Sequence, residues 1–300
     1  MDGGGRLPAA FIGPGRNVTI HNLVIENYGV HTWDAVVSPE LDARGWLVVG
    51  NEIRNNAGTG IKAGNGWVVR GNWVHDNWWT GIGGEGPSIT VEDNRVENNN
   101  TGRNDTEYDA SATKFVRTSG LIVRRNMVVG NYGNGIWVDI DATDSKIQDN
   151  TVSGNFGAGI LVEVSQGALV DGNTVEGNGY GRTVSVDGGA IVISSSRDVT
   201  VSHNTVVDNR DAIVAVSVDR TGALPADTYQ VRGMTVTNNK IVMRSGRTGL
   251  VTYSGHPVFS AAYANRFIDN EYEQLDASRP AFLWNGREVT LSTWRAVGHS

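Results

Sequence analysis

The sequence predicts an all-β fold: a single-stranded parallel β-helix, or solenoid, of about ten coils over residues 1–270, closed by a capping segment at 271–300. Three observations predict it. An Asn-x-Val/Ile triplet recurs at Asn22, Asn51, Asn72, Asn94, Asn126, Asn150, Asn173, Asn204 and Asn239. A second Asn follows five residues later, at Asn27, Asn56, Asn77, Asn99, Asn131, Asn155, Asn178 and Asn209. The apolar residues come in short alternating runs, such as Ile136-Trp137-Val138-Asp139, and not at the 3.6-residue period of a helix.

Each coil then reads in order. Three residues before the first Asn stands a β-branched residue (Val48, Val69, Val91, Val123, Ile147, Val170, Val201, Val236), with Thr19 the exception. Two residues after it stand Val24, Ile53, Val74, Val96, Val128, Val152, Val175, Val206 and Ile241. Both positions are expected to point inward. The asparagines should stack at corners, because a buried amide must be paired. Glycines nine residues on (Gly60, Gly81, Gly135, Gly159) are expected at corners needing positive φ. Trp46 and Trp67, just before a strand, are expected in the core. A weaker final frame starts at Asn265, with Phe267 and Asn270 in the inward and second-Asn positions.

The frames fall 21 to 24 residues apart where they run tightest, and stretch beyond 30 residues in three places. The extra residues lie in NNTGRNDTEYDASAT, GYGRTVSVDGG and DRTGALPADTYQ. Loops on a rigid scaffold commonly carry function, so these three are expected to wall a groove if they share a face. After Asn270, Phe282, Trp284, Val289, Leu291 and Trp294 supply apolar surface to cover the last coil. The chain opens inside the strand pattern and stops at Gly298-His299-Ser300, which predicts a segment of a longer protein.

Composition narrows the function. A net charge of −7 argues against an electrostatic grip on nucleic acid. No run of eighteen apolar residues is present, so membrane insertion by a helix is not expected. With no cysteine there is no disulfide, thiolate metal site or thiol nucleophile.

The repeat, from about Asn17 to Asn270, resembles the right-handed parallel β-helix proteins of the pectate-lyase-like superfamily. The stretches TKFVRTSGLIVRRN, GIWVDID and VEVS resemble a secreted bacterial subgroup of it. The resemblance implies a right-handed coil and an extracellular location. It does not choose among the superfamily's lyases, hydrolases, epimerases, phage spikes and members without known activity.

One column carries chemistry. Thirteen residues after the first Asn stand Glu85, Asp139 and Glu163, and stacked strands lie about 4.7–4.9 Å apart. Alternation points Trp137, Asp139 and Asp141 outward while Ile136, Val138 and Ile140 point inward. Leu161, Glu163 and Ser165 likewise point out. The inserted coil TKFVRT contributes Lys114 with outward parity, and Arg117 only if the strand ends or bulges there. Asp139 and Glu163 are therefore the expected acid–base pair, assisted by Asp141, with Lys114 tuning them or meeting an anionic substrate. Glu85, Arg117, Trp137, Trp78, Trp79 and His75 are candidate substrate contacts, the Trp pair through stacking on sugars. His31, Trp33 and Asp34 are weaker candidates.

This patch predicts a carbohydrate-active protein that acts on a polysaccharide or oligosaccharide by carboxylate chemistry, as a glycoside hydrolase or as a lyase or epimerase on a uronate polymer. The alternative is a non-catalytic glycan-binding or cell-surface module. No cofactor is required by either reading. A calcium site is the third reading: Asp139 to Asp144 alternates as in calcium loops, although without the Gly and final Glu of an EF-hand.

Overall fold

The computed structural model describes residues 1–300 except 32–33, 182–187, 222 and 224. Three parallel sheets run the length of the chain, one strand per sheet per coil. The first holds twelve strands, from Phe11–Gly13 to Arg287–Val289, and the other two hold ten each. Every pairing between strands is parallel except the last, where Phe282–Trp284 and Arg287–Val289 form a hairpin. Chain order explains the topology. Consecutive strands lie in different sheets, so each pairs with the strand one full turn later.

The predicted columns set the register. Val69 pairs with Val91, Val91 with Val123, and Val123 with Ile147. On the third sheet Val74, Val96, Val128 and Val152 follow one another. All are buried, and burial of each such side chain is worth about 1.5–3 kcal/mol. Trp46 and Trp67 stack inside, with ring centroids 4.5 Å apart and planes 9° from parallel.

Both asparagine columns form ladders. Asn51 donates its backbone N–H and its amide Nδ2 to Asn72 Oδ1, at 2.9 and 3.0 Å. Its other amide hydrogen goes to the Ile20 carbonyl. The same pattern runs rung by rung to Asn239, which donates to Asn270. Asn56 to Asn209 form the second ladder. Each amide is thereby saturated without water.

Three expectations need correction. In the first coil the register is one residue later than the triplet suggests. Leu23, not Asn22, occupies the ladder position, its N–H donating to Asn51 Oδ1. Ile25 is buried and Val24 exposed. In the last coil the frame is five residues later: Asn270 is the ladder residue and Phe267 pairs with Val236. The physical reason is common to both. The residue before each ladder Asn turns the chain in the left-handed region, as Gly50, Gly71, Asp93, Asp149 and Gly172 do. Asn22 (φ 55°) and Asp269 (φ 56°) are those corner residues.

The third correction concerns the glycines. Gly60, Gly81, Gly135 and Gly159 are absent from the positive-φ residues. They are glycines because the next coil presses on them. A Cβ on Gly159 would lie 2.5 Å from Val175 Cγ1 and 2.7 Å from the Ala190 carbonyl.

The C-terminal segment covers the last coil. Strand Glu271–Gln274 adds to the third sheet and Phe282–Trp284 to the first. Helix Leu291–Ala296 then lays Trp294 over the interior, its ring 5.1 Å from Phe267 and 5.2 Å from Phe282. The helix is capped by Thr290, whose side chain accepts from the Thr293 N–H.

Candidate active site

The acids stand at the end of three adjacent strands of the first sheet, Thr113–Ser119, Ile136–Asp139 and Ile160–Glu163. Val116 pairs with Asp139, and the Val138–Val162 register puts Glu163 on the rung beyond Asp139. Immediately after this column the backbone turns sharply. Arg117, Ile140, Val164 and Ser195 all take positive φ, at 47°, 45°, 48° and 44°. For β-branched Ile140 and Val164 this is a genuine outlier, costing on the order of 1–3 kcal/mol each. The turn ends the strand alternation. Ile140, expected inside, is exposed, and Ser165, expected outside, is buried with its Oγ donating to the Glu163 carbonyl. It also leaves both carboxylates at the lip of the sheet.

The column is not an open surface. The first insertion folds over it, and Lys114 is buried beneath with its Nζ 3.1 Å from Asp139 Oδ2 and 3.7 Å from Asp109 Oδ1. The same ammonium donates to the Tyr108 carbonyl and sits 3.5 Å from the centre of the Trp137 ring. The third insertion reaches in from the other side. Arg220 donates to Glu163 Oε1 at 2.6 Å. Asp141 accepts from the Tyr229 hydroxyl at 2.5 Å and from the Ala223 N–H at 3.3 Å. Both of its oxygens are thus engaged in holding that loop.

Burial governs the electrostatics. It pushes the Asp139 carboxyl above the ordinary Asp value, against the pull of Lys114 and of the Ile140 N–H, which donates to Oδ1 at 2.7 Å. Burial also pushes Glu163 up, helped by the negative charge of Asp139 and opposed by Arg220 and Lys114. Trp137 Nε1 has no hydrogen-bond partner of good geometry, although its dipole favours the charged form of Glu163.

The other sequence candidates fall in three places. Glu85 and Arg117 form an exposed ion pair at 2.7 Å, with Glu85 two rungs before Asp139 and Arg117 on the strand between. Arg117 faces out because it is the bulged residue where the register shifts between Glu85 and Gly86; its guanidinium holds Glu85 below the usual Glu range. Trp78 and Trp79 do not form an exposed pair. Trp78 is 47% exposed, whereas Trp79 is buried with Nε1 3.4 Å from Asp109 Oδ2. His75 lies on the third sheet, buried against Trp73 and bonded to Asp76, away from the acids. His31 and Asp34 are exposed, and Trp33 lies outside the described residues. Among the described residues no three His, Asp or Glu side chains converge to hold a metal ion, Asp139 to Asp144 included. No helix among them is long and apolar enough to cross a membrane.

Residues that the sequence did not single out complete the site: Asp109, Tyr108, Arg220 and Tyr229. All four come from the insertions, whose paths no periodicity fixes. The only sequence signal was that the frame stretches there.

The three parallel sheets wound into coils define the class. Residues 36–206 match the model of the right handed beta helix region, and the chain belongs to this family. No curated protein matches the sequence. Among solved structures, the A-module of the Azotobacter vinelandii mannuronan C-5 epimerase AlgE6 is 17% identical with a TM-score of 0.65, over 91% of this chain and 72% of that one. The Dettilon tailspike protein is 12% identical with a TM-score of 0.51, over 89% of this chain but only 62% of its own length. XylC, solved with xylose, is 12% identical with a TM-score of 0.51, over 89% of this chain and 51% of that one. At these identities the likeness is one of fold.

Proposed function

We propose that this chain is a carbohydrate-active enzyme that hydrolyses a glycosidic bond in an extracellular polysaccharide or oligosaccharide. The carrying observation is the Asp139–Glu163 pair: two carboxyls on adjacent rungs, both desolvated, both raised, and flanked by Lys114 and Arg220. Glycosidases need one carboxyl protonated and its neighbour ionised at the same pH. Here Lys114, 3.1 Å away, favours charge on Asp139, and that charge drives the proton onto Glu163.

In this reading Glu163 protonates the leaving oxygen once substrate displaces Arg220. Asp139 attacks the anomeric carbon, and water activated by Glu163 releases the sugar. Adjacent rungs about 4.7–4.9 Å apart suit the roughly 5–5.5 Å carboxyl separation of retaining enzymes. Asp141 and Tyr229 hold the third insertion in place, and exposed Trp78 offers a stacking face beside the first. The carbohydrate chemistry of two fold relatives, an epimerase of mannuronan and a protein solved with xylose, agrees with a glycan substrate.

The test is a polysaccharide panel assayed for new reducing ends, with the anomeric configuration of the first product read by NMR. Retention is expected, with Asp139→Asn and Glu163→Gln each abolishing turnover in a folded protein. Ultraviolet absorbance from an unsaturated uronate would make it a lyase instead. Binding with no turnover on any glycan would make it a binding module.

A further inference from the structure

A second cluster lies further along the same sheet, three rungs past Glu163. Strand Asp211–Ser217 pairs with Thr248–Thr252, and the chain beyond the latter runs Tyr253-Ser254-Gly255-His256. Ser254 Oγ is 2.8 Å from His256 Nδ1, and the other ring nitrogen, Nε2, is 3.8 Å from Asp219 Oδ1. Thr252 Oγ1 lies 3.0 Å from Ser254 Oγ, and buried Ser217 Oγ 3.2 Å from the same Nδ1.

We infer that Ser254, His256 and Asp219 form a nucleophile, base and orienting carboxylate for the hydrolysis of small carboxylic esters. The tautomer supports the roles. A neutral imidazole has one N–H, and the negative charge of Asp219, 3.8 Å from Nε2 and beyond hydrogen-bond reach, favours it there. That leaves the Nδ1 lone pair facing the Ser254 hydroxyl, as a general base must. The ring is turned over relative to the Ser-His-Asp template, but each group keeps its role. Access is suitable, since Ser254 and His256 are both partly open to solvent while Ser217 is not. The Gly255 N–H, on the residue after the nucleophile, has no hydrogen-bond partner among the described residues. That is a usual place for an oxyanion donor.

The step balances without a further co-reactant. Ser254 Oγ bonds to the ester carbonyl carbon as its proton passes to His256 Nδ1. The carbon–alkoxy bond breaks, and the alcohol leaves with that proton. Water then attacks the acyl-serine, its proton passing through His256 to Ser254, and the free acid departs. Because the strand before the site lies three rungs past Glu163 in the same sheet, an O-acylated glycan is its natural polymeric substrate. That last clause rests on the glycan reading; the esterase chemistry does not.

The probes are p-nitrophenyl acetate and an alkyl fluorophosphonate. Expected are ester turnover by the native chain, one fluorophosphonate adduct mapping to the peptide that carries Ser254, and loss of both in Ser254→Ala. His256→Ala should lower turnover by about 100-fold. Asp219→Asn should lower it several-fold and leave the adduct on the same peptide. Turnover no faster than that of the guanidinium-unfolded chain would overturn the inference. So would an adduct on Ser217 or elsewhere in the wild type, a result that requires no variant to fold.

Discussion

Lys114 is the most informative residue to perturb, because its surroundings let the cost be worked out. It is buried, 3.1 Å from Asp139 Oδ2, and shares little with solvent. Lys114→Met keeps most of the apolar stem and removes the ammonium, with its contacts to Asp139, the Tyr108 carbonyl and the Trp137 ring. Breaking a buried pair from one side costs about 3–5 kcal/mol when the partner stays charged. Asp139 has an escape, which is to take a proton. Holding a carboxyl neutral at pH 7, against an unfolded value near 3.9, costs about 4 kcal/mol at 1.36 kcal/mol per unit. At pH 5 the same protonation costs only about 1.5 kcal/mol.

The sign follows from linkage. Burial raises Asp139 in the folded state, so its contribution is most favourable at low pH and is lost as pH rises through the folded value. Removing Lys114 raises it further. Lys114→Met should therefore lose about 3–4 kcal/mol at pH 7 and about 1–2 kcal/mol at pH 5. Guanidinium unfolding followed by tryptophan fluorescence at the two pH values measures the difference. Lys114→Met with Asp139→Asn should remove the pH dependence of the deficit. A deficit below about 1 kcal/mol at pH 7, or one equal at both pH values, would refute the buried pair.

Two further outcomes concern the scaffold and its cap. Gly159→Ala should destabilise by about 1–3 kcal/mol in thermal melts, because the new methyl meets Val175 and the Ala190 carbonyl, whereas Gly71→Ala, open around its Cβ but at φ 62°, should cost only about 1–2 kcal/mol. His299 is packed between Trp284 and Trp294, with centroids at 4.0 and 4.3 Å, and burial lowers its pKa. The unfolded chain then binds the proton first, so cap stability should fall as pH drops below about 6.5, by up to about 1.4 kcal/mol per unit. Hydrogen exchange of residues 282–298 at pH 7.5 and 5 measures it, and His299→Phe should flatten the response.

The scaffold was legible because it repeats. Val128 and Val152 share a column, and any period that places one inward places the other. The ends were less legible, since Asn22 is a corner residue that imitates a ladder residue, with Leu23 beside it in the true position. The acid column was legible for the same reason as the core: Asp139 and Glu163 inherit their alignment from Val138 and Val162. Parity past them was not, because positive φ at Ile140 and Val164 breaks the alternation and neither residue type announces it. Nor could the sequence show that Lys114 would be buried. That depends on Tyr108 and Asp109, carried in by a loop with no period of its own. The Ser254 cluster is not legible in the sequence, because Asp219 is remote in the chain from His256.

The asparagine ladders also bear on how such a chain can change in length. Every rung passes its donors the same way, from Asn51 towards Asn270, and each amide meets an identical amide above and below. A rung is therefore interchangeable with its neighbour. Excising residues 51–71 would bring Asn72 Oδ1 to the Leu23 N–H that Asn51 now serves, and Asn77 to Tyr28 in place of Asn56. Both ladders would close again with nothing left over. Removing half a coil would instead set donors against apolar residues and strand a row of buried amides, at about 1–3 kcal/mol for each unsatisfied group. Length in this molecule is a quantised variable: it can shorten or grow by whole turns, while the strained corner beyond Asp139 and Glu163 stays as it is.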